Sequence, residues 1–177
     1  MVHLKIMGIS GSLRTNSSAT MVLKQIAMLL PSSIEFNIYN GLGELPHFND
    51  AEDEPATVKQ FKNLVAAADG IFICSPEYAF GVPGTLKNAL DWTVSSGDFV
   101  SKPVALITAA SGGKSAHASL LLTLSALSAS VAEEATLIIP FIRAKLNEGG
   151  EFKDEKTLAE VKEVISSFVR ILEEKNA

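Results

Sequence analysis

The run Gly8-Ile9-Ser10-Gly11-Ser12-Leu13-Arg14-Thr15-Asn16-Ser17-Ser18 carries the residue types that hold a phosphate. It follows an apolar, strand-like stretch at residues 4–7 and precedes a segment with Val22, Ile26, Leu29 and Leu30 at helical spacing. A strand that opens into a helix through Gly, Ser and one Arg makes an anion cradle. The helix N-terminus presents unpaired N–H groups and a partial positive charge, and glycine lets the backbone approach closely. Ser10, Ser12, Ser17 and Ser18 can donate hydroxyl hydrogen bonds, and Arg14 can donate in a bidentate fork. The same composition also serves an ordinary strand-to-helix turn whose serines only cap the helix. An arginine at a helix start is mismatched with the positive dipole end unless an anion lies between them.

A second run, Ser75-Pro76-Glu77-Tyr78-Ala79-Phe80-Gly81-Val82-Pro83-Gly84, is stiffened by its prolines. Its backbone could hydrogen-bond the edge of a planar ring while Tyr78 covers a face. Equally, it could be a rigid connection with Gly84 or Thr85 starting the next helix. Gly113-Lys114-Ser115 looks like the end of a P-loop, but Thr108 stands where that motif needs glycine. His3, His47 and His117 have no second ligand at metal spacing, so surface or packing roles are expected, although the loop with His47 could edge a site. Gly8-Ile9-Ser10-Gly11-Ser12 fails the nucleophile-elbow pattern because position 12 is not glycine. The single cysteine, Cys74, excludes an intrachain disulfide and, in Ile71-Phe72-Ile73-Cys74, is expected to be a small buried hydrophobe.

The elements that must position these residues alternate. Strands are predicted at 4–9, 34–39, 70–75, 103–108 and 136–139, and helices at 18–30, 56–68, 84–95 and 114–129. A final helix carries Leu158, Val161, Val164, Ile165, Phe168, Val169 and Leu172 on one stripe. Strict alternation means an α/β fold with a parallel sheet and helices on both faces. The flavodoxin-like order 2-1-3-4-5 suits this size, and ligands then bind beyond the carboxyl ends of the strands, where strand order reverses. That rule selects the loops at 10–18, 76–84 and 109–114.

With 177 residues, 47% hydrophobic and 20% charged, the chain is expected to form one domain over residues 1–177 with a sizeable core. A net charge of −5 with no basic stripe gives no footprint for nucleic acid. The apolar stretch at 116–142 carries Glu133 and Glu134 and does not read as a membrane span. The N-terminal apolar stretch is too short for a signal peptide, so a reducing cytoplasm is the expected compartment.

Gly11-Ser12-Leu13-Arg14, Pro76-Glu77-Tyr78, Val82-Pro83-Gly84 and Leu86-Lys87-Asn88-Ala89-Leu90-Asp91-Trp92 together resemble the NADPH-dependent FMN reductase family. That family includes flavin, quinone, azo-dye and chromate reductases. The resemblance spans residues 4 to about 113 and continues weakly through Phe48-Asn49-Asp50 and the last helix. It implies a flavodoxin-like, FMN-binding domain, NADPH or NADH as electron donor, a small-molecule acceptor, and a homodimer or homotetramer. By position, Ser10, Ser12, Arg14 and Ser17 would hold the FMN phosphate, and Pro76, Glu77 and Tyr78 would flank the isoalloxazine ring. Ser111, Gly112 and Gly113 would close on its pyrimidine end. No catalytic side chain is implied, because the flavin carries the hydride chemistry. Ala19 and Ala79 stand where the family usually has Asn, Gly81 where it has Ser, and Val94-Ser95 where an Arg often follows Asp-Trp. An electron carrier serving a protein partner and a non-catalytic flavin-binding scaffold remain as alternatives.

Overall fold

The computed structural model describes residues 3–49 and 53–177; Asp50, part of the weaker resemblance, lies outside them. Five strands, β1 (Leu4–Ser10), β2 (Ile34–Tyr39), β3 (Gly70–Ser75), β4 (Val104–Ala110) and β5 (Thr136–Pro140), form one sheet in the order β2-β1-β3-β4-β5. All four pairings are parallel, as the alternation with helices predicts. β3 and β4 are buried at every position. Successive side chains on β3 serve opposite faces: Phe72 and Cys74 join one core, Ile71 and Ile73 the other. This is why the two central strands read as unbroken apolar runs.

The helices are α1 (Ser18–Leu29), α2 (Ala56–Ala67), α3 (Gly84–Asp91), α4 (Lys114–Ala126), the short α5 (Ile142–Lys145) and α6 (Glu155–Lys175). α1, α5 and α6 pack on one face of the sheet and α2, α3 and α4 on the other. On α6, Val161, Val164, Ile165, Phe168 and Leu172 are buried, with Val169 partly buried against the same core. Phe168 meets Phe72 edge-on, ring centroids 5.6 Å apart. Truncating a buried Phe to Ala costs about 3–5 kcal/mol, so Phe168→Ala would strip α6 of its anchor. Asp154 starts α6 by accepting the Thr157 N–H at 2.8 Å.

Two helices are shorter than their apolar spacing predicts. α3 stops at Asp91 because the Thr93 hydroxyl takes the Leu90 carbonyl at 2.7 Å and the chain tightens into three-residue turns. α4 stops at Ala126 in a Schellman motif, Ala129 N–H to Leu124 and Ser128 N–H to Ser125, with Ser128 at φ +58°. Serine stands where glycine would have announced the stop. α5 was not anticipated at all.

Candidate functional site

The loop between β1 and α1 is folded tightly over the end of β3. Gly11 N–H donates to the Cys74 carbonyl at 2.8 Å, and a Cβ at Gly11 would lie 2.5 Å from Ser75 Oγ. Glycine is therefore required for close approach. Ser17 is the N-cap of α1, its Oγ accepting the Thr20 N–H at 3.1 Å. Thr20 Oγ1 also lies 2.8 Å from Ser17 Oγ and 2.9 Å from Ser10 Oγ, so one helical hydroxyl ties both ends of the loop together. Ser12 Oγ accepts the Arg14 N–H at 3.3 Å and lies 3.1 Å from the Tyr78 hydroxyl, which joins this loop to the one after β3.

The loop after β3 is in turn joined to the start of α4. Gly113, at φ +105°, occupies the N-cap position of α4 and has no side chain to cap it. Glu77 supplies the cap: its carboxylate accepts the Gly113 N–H at 3.1 Å and the Ala116 N–H at 2.9 Å. The Ala116 bond above all, with those from Gly113 and Ser115, holds the Glu77 carboxyl below the usual carboxylate range. On the far side, Asn88 and Trp92 pin the Pro46 carbonyl at 3.0 and 2.8 Å, and Phe48 packs edge-on to Trp92. Those motif residues hold a neighbouring loop in place.

At the carboxyl edge of the sheet lies a cavity of about 370 Å³, within the range of small-ligand sites. Of the residues singled out by sequence, Arg14, Ser17, Ser18, Pro76, Glu77, Tyr78 and Ser111 line it. Ser10 and Ser12 instead border an adjacent hollow of about 270 Å³, which Arg14 also borders. Gly112 and Gly113 line neither; Gly113 holds the N-cap position of α4 and donates its N–H to Glu77. The sequence reading missed Thr20, whose hydroxyl is hidden inside a helical stretch. It also missed the fourth wall, Phe141 to Ala144, because the switch-point rule points to the loops after β1, β3 and β4 only.

The remaining singled-out residues take the packing or surface roles expected. Cys74 is fully buried, which pushes its thiol pKa up. His117 Nδ1 lies 2.9 Å from Thr108 Oγ1, and burial holds the imidazole below its ordinary pKa. His3 and His47 are exposed. Among the described residues no group of His, Cys, Asp and Glu is placed to hold a metal ion, and no helix is long and apolar enough to cross a membrane. Ala79 and Phe80 have φ +49° and +59° between mutually bonded Tyr78 and Gly81, a type I′ turn with neither Asn nor Gly at its centre. Phe80 is 83% exposed there.

Residues 4–144 match the family model for NADPH-dependent FMN reductase. An NADPH azoreductase from Bacillus sp. (strain OY1-2) is 40% identical over 66% of this chain and 68% of its own length. A quinone reductase of Escherichia coli (strain K12) is 36% identical over 62% of this chain and 61% of its own, so the match covers about three fifths of that relative. The solved structure of FerB, a flavoenzyme NAD(P)H:(acceptor) oxidoreductase from Paracoccus denitrificans, superposes with a TM-score of 0.86. It is 27% identical, covering 97% of this chain and 98% of FerB.

Proposed function

Since this chain belongs to the NADPH-dependent FMN reductase family, we propose that it passes a hydride from NAD(P)H to bound FMN and the electrons on to a small acceptor. It is an oxidoreductase of that family, with FMN as cofactor and NAD(P)H as donor. Residues 1–177 act as a single FMN-binding domain. A quinone or azo compound is the acceptor class that the similar reductases suggest.

The residues present fit FMN. The Ser18 and Ala19 N–H groups lie in the first turn of α1, with no intrahelical carbonyl to bond, and both residues line the cavity. Ser17, Ser18 and Arg14 stand beside them, supplying hydroxyl and guanidinium donors for a phosphate. Across the same cavity, Pro76 to Tyr78 and Ser111 offer a wall for a planar ring. When bound, FMN supplies hydride acceptance at N5 and electron release to the second substrate. The protein's own part is placement. The Glu77 cap fixes the Pro76–Tyr78 segment against the α4 start, and the Ser12–Tyr78 contact fixes that segment against the phosphate loop. The Glu77 carboxylate already occupies the positive end of α4, so the positive helix end left open to the cavity is that of α1.

One observation carries the reading: the Arg14–Ser18 stretch and the Pro76–Tyr78 segment, far apart in sequence, face each other across one cavity. Titration of flavin-free protein with FMN and with riboflavin tests it. FMN should bind near one per chain and at least tenfold tighter, because only FMN has the phosphate. Equal affinities would sink the assignment of the cradle.

A further inference from the structure

The chain has three arginines. Arg170 lies between Glu134 and Glu174, with nitrogen–oxygen distances of 3.4 and 3.3 Å. Arg14 and Arg143 instead line the same cavity, and among the described residues neither guanidinium has a hydrogen-bonding or ion-pair partner. The carboxylate in that cavity, Glu77, is engaged by the Gly113 and Ala116 N–H groups at the start of α4. In a chain of net charge −5, two unpaired guanidiniums gathered at the positive end of α1 repel one another unless an anion sits between them.

Backbone geometry fixes where Arg143 stands. Phe141 N–H donates to the Ser111 carbonyl at 3.3 Å, Ala144 N–H to Phe141 at 2.9 Å, and Ile142 is 3% exposed in the core beneath. The segment that carries the arginine is thus tethered to the β4–α4 loop, and Arg143 lines the cavity that Ser17 and Ser18 also line. A basic residue can also favour a helix C-terminus, but α5 has four residues and little dipole to satisfy. A phosphate monoester carries a charge of about −1.5 to −2 at neutral pH. One guanidinium and a helix end compensate that only in part.

We propose that Arg143 is a second phosphate-binding residue, which with Arg14 clamps the FMN phosphate from the opposite wall of the cavity. The inference rests on the FMN reading above. Nothing in the sequence marks it, because Arg143 follows the edge strand and only the fold brings it to the β1–α1 loop.

The test is flavin binding to the apoprotein, read by quenching of flavin fluorescence, for wild type, Arg14→Ala, Arg143→Ala, Arg143→Lys and the double alanine variant. Arg170→Ala is the charge control. Arg143→Ala should weaken FMN about tenfold and leave riboflavin unchanged within about threefold (~0.7 kcal/mol). Arg143→Lys should recover part of the loss, because it keeps the charge without the fork. The double variant should lose more of the preference for FMN over riboflavin than either single alanine variant, and Arg170→Ala should match wild type. Arg143 is exposed, so the fold should survive, and unchanged circular dichroism checks it. If Arg143→Ala keeps the wild-type preference for FMN while Arg14→Ala loses it, this inference is wrong and the FMN reading stands. Equal loss of FMN and riboflavin makes Arg143 a structural or ring-side residue and also overturns the clamp. A wild type that does not prefer FMN overturns both.

Discussion

Arg14 is where the phosphate assignment meets a single side chain. It lies three residues before the N-cap Ser17 and borders both hollows of the site. A charge-assisted hydrogen bond contributes roughly 1.5–3 kcal/mol, so Arg14→Ala should weaken FMN by about one to two orders of magnitude. Riboflavin affinity should barely move; unchanged FMN binding would remove Arg14 from the ligand set. His117 makes a different kind of prediction. Its pKa is lowered in the folded state by burial, so the unfolded chain binds the extra proton first. Stability from this group is therefore present above the unfolded value of 6.5 and lost as pH falls through it toward the folded value. The melting temperature should drop between about pH 7.5 and pH 5.5, and drop less in His117→Gln. Identical pH profiles for the two proteins would contradict it. The same scale shows what a sequence can display. Arg14 and Ser17 were legible because a helix start made their chemistry local. Thr20 and Arg143 were not, since only the fold brings Thr20 to Ser10 and Arg143 to the cavity.

Elements, by contrast, were legible wherever burial is two-sided or strictly periodic. β3 and β4 lie between two helix layers and read as unbroken apolar runs, and α6 as a single stripe. Helix ends were harder. Ser128 closes α4 in a left-handed conformation that serine seldom adopts, and Thr93 ends α3 through a side-chain bond that no local pattern announces. The turn after Tyr78 stores strain for the same reason: Ala79 and Phe80 occupy positions that favour Asn and Gly. Ala79→Asn should relieve about 1 kcal/mol and raise the melting temperature by roughly 2–4 °C. A fall in melting temperature would mean that the turn is not strained as its dihedrals imply. The motif residues Asn88 and Trp92 belong here too, because their partner is the Pro46 carbonyl in a separate loop.

Taken whole, the molecule places its site where a doubly wound sheet leaves a crevice. One cavity serving donor and acceptor in turn predicts ping-pong kinetics, with parallel double-reciprocal lines; intersecting lines would require a separate acceptor pocket. The exposed Phe141 lines the cavity and the exposed Phe80 lies two residues from its wall residue Tyr78; we propose that a second copy of the chain covers them in a homodimer or homotetramer, which light scattering would detect. The measurement that bears most directly on the function is the visible spectrum of FMN-loaded protein under anaerobic conditions, before and after NADPH or NADH. The flavin band should bleach without any protein partner and return when a quinone is added. A band that persists in the presence of both nucleotides would contradict the reductase assignment and leave an electron carrier or a flavin-binding scaffold in its place.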